Sequence, residues 1–100
     1  MAEPARKRLT FVLIARIPLE GIGAFQAYES AVLPVLAEHG ARLERRLRSE
    51  TGTIELHIVS FASEAAFEAY RADPRRTALA PDLARSNAQL ELLPLEDVTA

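Results

Sequence analysis

Leu9, Phe11, Leu13 and Ile17 alternate with Val12 and Ile14, so an extended segment over 9–17 is apolar on both sides. That pattern predicts a strand covered on both faces. After Pro18 and the Gly21/Gly23 pair the apolar spacing lengthens. Phe25, Tyr28, Val32, Val35 and Leu36 recur at three- and four-residue steps, the stripe of an amphipathic helix, and Gly40 stands where a left-handed C-terminal cap belongs. Pro34 lies inside this stripe and is expected to kink the helix or break it in two. Alternation returns over 41–49 and 53–61 around Glu50-Thr51-Gly52, which reads as a hairpin. In the register expected for it, Arg48 faces Glu55, Arg46 faces His57 and Leu47 faces Leu56. Arg42, Glu44, Arg46 and Arg48 then share a face with Glu55, His57, Val59 and Phe61, and Leu43, Leu47, Ile54, Leu56 and Ile58 take the other. Ser63 is suited to cap a second helix that buries Ala66 or Phe67 with Tyr70, and Asp73-Pro74 ends it. A short helical piece through Leu79 and Leu83 follows, then a last strand over 88–95 in which Pro94 fits only an edge position or a strand end.

The element order β-α-β-β-α-β predicts an α+β, ferredoxin-like domain: a four-stranded antiparallel sheet with the first and third strands central. It is expected to occupy residues 9–98 as one domain after a flexible tail at 1–8. Arg42, Arg45, Arg46 and Arg48 then fall on an edge strand, where charge resists pairing with other chains.

Tyr28 with VLPVLAEHGARL at 32–43, followed by IVSFASEAAFEAYRADP at 58–74, resembles the dimeric α+β barrel superfamily. The likeness is greatest to its small stand-alone domains of unknown function and more distant to the antibiotic-biosynthesis-monooxygenase-like group. The resemblance implies the fold and a homodimer, and assigns no catalytic residue. Pattern alone also argues for the dimer. With Val12, Ile14, Val59, Phe61, Leu93 and Leu95 assigned to the sheet face that lacks helices, a second copy is needed to cover them.

Composition narrows the function. The 100 residues carry a formal net charge of −2 and no cysteine, which argues against a general polyanion binder and excludes thiolate metal sites, disulfides and cysteine nucleophiles. Two histidines far apart give no metal-ligand spacing, and no cofactor motif is present; none is expected. The apolar run after the basic N-terminus is broken by Arg16, too early for a membrane span or a signal peptide, so a cytoplasmic protein is expected. The RNA-recognition motif shares this topology but needs exposed aromatics on both central strands, and here the third strand offers Glu55, His57, Val59 and Phe61. No nucleic-acid or membrane partner is expected.

Candidate chemistry collects at the polar end of the face assigned to the dimer. His57 is the side chain there whose ordinary pKa lies near neutrality, the candidate proton shuttle. Arg16, Arg46, Glu55 and Glu91 are the candidate ligand-binding residues, with the arginines suited to a small carboxylate or enolate. Two functions follow. One is a small-molecule-binding domain, of the cofactor-independent oxygenase or isomerase type, and it requires a cavity. The other is a non-catalytic homodimeric module, and it requires Arg and Glu side chains to close that space.

Overall fold

The protein, described over residues 8–98 in a computed structural model, has the expected order of elements. β1 (Leu9–Arg16) leads through a 3-10 turn (Leu19–Gly21) into α1 (Ile22–Ala37). β2 (Ala41–Arg48) and β3 (Ile54–Phe61) form the hairpin, and α2 (Glu64–Ala72), α3 (Pro74–Thr77), α4 (Ala80–Ser86) and β4 (Gln89–Leu95) complete the domain. The antiparallel sheet has the order β2-β3-β1-β4, so β1 and β3 are central and Pro94 lies on an edge strand. Most of the tail at 1–8 lies outside the described residues. Arg8 does not: its guanidinium donates to Ser60 Oγ at 2.8 Å and to the Gly40 carbonyl at 2.8 Å.

Local signals act where the sequence places them. Gly40 and Gly52 have φ of +68° and +80°, the left-handed region where a Cβ is costly. Ser63 Oγ accepts from the Ala66 amide at 3.0 Å and caps α2. Gly21 answers a different need: a Cβ there would lie 1.9 Å from the Ser86 carbonyl oxygen, so only glycine lets the start of α1 approach α4. Asp73 binds the start of α3 through the Arg75 amide at 2.8 Å and also receives His39 at 2.7 Å, tying the end of α1 to the α2–α3 junction. The break that Pro34 could impose does not occur, and α1 runs continuously through it. Pro34 and Ser30 are both exposed, so the carbonyl that Pro34 leaves without an intrahelical donor faces water.

The hairpin register holds for Arg45–Arg48 and then shifts. A bulge at Glu44 pairs Leu43 with Val59 and Arg42 with Ser60. The extra residue uses its carboxylate to accept the Ser60 hydroxyl at 2.7 Å. Leu43 therefore moves onto the Val59 face, and Arg42 leaves it.

The larger correction concerns which face the helices cover. β1 pairs with β3 so that Phe11 lies opposite Val59, Leu13 opposite His57 and Ala15 opposite Glu55. α1 and α2 pack on that face. Phe61 is 1% exposed and meets Phe67 and Tyr70 of α2, which is what directs the aromatic side of the sheet toward the helices. Glu55, His57, Val59 and Phe61 are thus inside the domain, and Val12, Ile14, Leu56 and Ile58 lie on the face without helices.

Two apolar clusters result. Ala15, Ile17 and Phe25 form one, with Ile22, Leu83 and Ala88 against them; Leu36, Val59 and Phe61 form the other, with Phe11, Leu33 and Phe67. Along α1 the buried Tyr28 and Glu29 lie between Phe25 of the first cluster and Leu36 of the second, and that stretch is where the candidate site lies.

Candidate functional site

Between the sheet and helices α1–α3 is a cavity of about 490 Å³. Its walls are largely apolar, built by Phe11 and Leu13 of β1, Val32 and Leu36 of α1, Val59 of β3 and Phe67 of α2. Leu43, Leu90 and Leu92 of the two edge strands also line it and are 37–45% exposed, so it opens to solvent there. This is the size and character of a site for a small organic molecule.

The polar end is organised around Glu55. Its side chain is buried, and its two oxygens accept from Arg46 Nε at 2.8 Å, Arg48 Nε at 2.9 Å and His57 Nε2 at 2.8 Å. Burial alone would raise its pKa, but the three donors outweigh it and hold the carboxyl down at about 2. An ionised Glu55 can only accept, so the proton of neutral His57 is on Nε2 and Nδ1 keeps its lone pair. Burial holds His57 below its ordinary value of 6.5 despite the carboxylate beside it, so the imidazole is neutral at pH 7. The pair is a base with its orienting group already in place.

Facing Nδ1 from α1 is Glu29, with Oε2 3.8 Å away. Glu29 is 2% exposed, and its Oε2 has no hydrogen-bond partner among the described residues. Burial, opposed by Arg46 and reinforced by Glu55, raises its pKa to about 7. At the α2–α3 end, burial pushes Tyr28 up to about 12 and also raises Tyr70, so both keep their phenolic protons. Arg76 lines the same cavity with its guanidinium 5.3 Å from the centre of the Tyr70 ring, and its buried Nε has no partner among the described residues. The cavity therefore contains a base, a carboxyl and a cationic donor with unused hydrogen-bonding capacity.

The residues singled out from sequence divide between the two faces. Arg46, Glu55 and His57 come together beneath the helices, with Arg46 donating to Glu55 and not into the cavity. Arg16 and Glu91 lie on the opposite face, where they form an exposed ion pair at 3.2 Å. They do not reach His57, because Arg16 stands opposite Ile54 and Glu91 opposite Ile14. Sequence reasoning missed Glu29 and Arg76. Glu29 had a readable signal: it stands four residues after Phe25, three before Val32 and seven before Leu36, a charge inside the buried stripe of α1. Arg76 had none, since its position depends on how the short α3 returns over the sheet.

No protein-family model matches the chain, and no curated protein sequence matches it. Solved structures match it over nearly its whole length. A candidate antibiotic biosynthesis monooxygenase from Bacteroides thetaiotaomicron aligns with a TM-score of 0.78 at 16% identity, covering 96% of this chain and 94% of that one. SnoaB, a cofactor-independent oxygenase from Streptomyces nogalater, aligns at 0.72 and 18% identity, covering 93% and 97%. A candidate antibiotic biosynthesis monooxygenase from Caulobacter crescentus aligns at 0.73 and 12% identity, covering 93% of each chain. The chain thus has the ferredoxin-like α+β fold that its element order implied, and it shares that fold with antibiotic-biosynthesis-monooxygenase-like domains, the group its sequence resembled more distantly. No helix among the described residues is long and apolar enough to cross a membrane.

Proposed function

We propose that this protein is a homodimeric small-molecule-binding domain whose cavity takes a largely apolar ligand bearing an enolic or phenolic hydroxyl, with His57 as the base for that hydroxyl. The observation that carries the reading is the cavity itself, open beside His57 and not closed by Arg and Glu side chains as a purely structural dimer module would require. Glu55 fixes the imidazole and stabilises the imidazolium formed when Nδ1 takes a proton. Arg76 supplies the positive charge for a second oxygen of the ligand, the role that Arg16 and Arg46 do not fill. Proton removal from an enol or a carbon acid is the first step of both isomerisation and cofactor-independent oxygenation, and the fold shared with SnoaB supports the oxygenase type. The dimer reading is supported by the helix-free face, where Leu47, Ile54, Leu93 and Leu95 are 41–46% exposed.

A thermal-shift screen against phenols, enols and phenolic acids tests this reading, with light scattering on the same samples. A ligand at one hundred times its dissociation constant adds ~2.7 kcal/mol, a rise in Tm of roughly 10 °C or more for a domain of this size. The expected result is such a rise for at least one hydroxylated aromatic or enol, in a particle of twice the 11.0 kDa chain mass. A flat response across the panel contradicts the binding reading.

A further inference from the structure

Glu29 Oε2 has no hydrogen-bond partner among the described residues. An unpaired carboxyl oxygen at this depth weakens the fold, and leucine would fill much of the same volume without that cost. Yet Glu29 lines the cavity, and its Oε2 lies 3.8 Å from His57 Nδ1. That separation is too long for a hydrogen bond and short enough for one ligand oxygen to touch both atoms. We propose that Glu29 is the hydrogen-bond donor to the same ligand hydroxyl whose proton His57 accepts, so that the site selects a neutral phenol or enol over the corresponding carboxylate.

This inference rests on the reading of the cavity as a small-molecule site with His57 as its base. In the step it describes, the ligand O–H bond breaks, the proton goes to Nδ1 and the electron pair stays on the ligand oxygen. The protonated Glu29 carboxyl donates to that oxygen as its charge develops, and ionised Glu55 faces the imidazolium. Proton transfer between two neutral groups thus leaves each new charge beside an existing partner. A carboxylate ligand fails on both counts: it has no proton for Nδ1, and it brings a negative charge to within reach of Glu55. Glu29 is faced from the sheet by His57, Glu55 and Arg46, from its own helix by Tyr28 and from α2 by Tyr70. Among these, Glu29 is the group placed to change charge as the pH rises through about 7.

The test uses 2-naphthol, naphthalene and 2-naphthoate as probes, titrated into the full chain and into Glu29→Gln and Glu29→Leu. 2-Naphthol, a phenol, stays protonated up to about pH 9. The expected result is a preference for 2-naphthol over both other probes of about ten-fold or more, since a site built around a hydroxyl leaves polar groups unpaired when the hydroxyl is missing. Glu29→Leu keeps naphthalene binding, which reports an intact cavity, and weakens the preference several-fold, leaving only the part that the His57 acceptor supplies. Glu29→Gln retains an N–H donor and stays within about three-fold of the original protein. In the unmodified chain the preference declines as the pH is raised through about 7, and in Glu29→Gln it is flat over the same range. Equal affinity for naphthol and naphthalene, or a preference undiminished in Glu29→Leu, overturns the role of Glu29 while leaving the cavity reading in place. Failure of all three probes to bind overturns both.

Discussion

Replacing Glu55 by alanine is expected to cost about 3 kcal/mol of stability and to lower Tm by roughly 10–20 °C. The carboxylate is the common acceptor of Arg46, Arg48 and His57, and among the described residues no other acidic group stands within bonding distance of all three. Removing one member of a buried charged network usually costs ~3–5 kcal/mol. The lower end applies because Arg46 and Arg48 are 31% and 43% exposed and can turn toward water once released. The pH dependence carries the same signature. The carboxyl titrates near 4.5 when unfolded and at about 2 when folded, so its contribution is complete above pH 4.5 and is lost as the pH falls toward 2. Urea denaturation at pH 3 and pH 6 therefore shows a larger difference between the original chain and Glu55→Ala at pH 6. Equal differences at the two pH values contradict the assignment of Glu55 as the ionised hub.

Val32→Trp should abolish ligand binding, weakening it by two orders of magnitude or more, while leaving Tm within a few degrees of its original value. Val32 is 3% exposed on α1 and lines the cavity, so an indole there extends into the existing space of about 490 Å³. Enlarging a residue in a filled core ordinarily costs ~1–3 kcal/mol in strain. Here the added volume meets empty space, and the new apolar contacts offset the distortion. Calorimetric titration of a ligand from the screen, run beside thermal denaturation, checks both halves. Retained binding places the ligand elsewhere, and a collapse in Tm shows that the cavity is smaller than the structure gives.

The sequence pattern reaches the fold and stops short of the facing. Element order, the Gly40 and Ser63 caps and the central places of β1 and β3 all follow from local chemistry, which tertiary packing then keeps. β1 is apolar on both sides, so its hydrophobic pattern cannot choose between registers that differ by one residue. Pairing Phe11 with Val59 puts Glu55 and His57 beneath the helices, and a slip of one would put them outside. The deciding interactions are between Phe61, Phe67 and Tyr70, residues brought together only by the packing of α2. The same facing separates Arg16 and Glu91 from Arg46, Glu55 and His57, splitting a cluster that the sequence presented as one. The Glu44 bulge compounds this by reversing the sides of Leu43 and Arg42. Arg16 and Glu91 enter the sequence-derived site only through the facing assigned to β1 and β4, which the observed register reverses relative to β3. Glu29 was passed over because it sits among residues read as core.

The central claim is that a neutral hydroxyl compound binds against His57 Nδ1 inside the sheet–helix cavity. The most direct measurement is the ¹⁵N chemical shift of the imidazole nitrogens during titration with 2-naphthol. The chain has two histidines, and His39, hydrogen-bonded to Asp73 at 2.7 Å outside the cavity, serves as the internal reference. The predicted result is a saturable shift of His57 Nδ1 toward a hydrogen-bonded or protonated nitrogen, with Nε2 still bonded to Glu55 and both His39 nitrogens unmoved. Saturation with no change at His57 Nδ1, or equal changes at both histidines, would contradict the account.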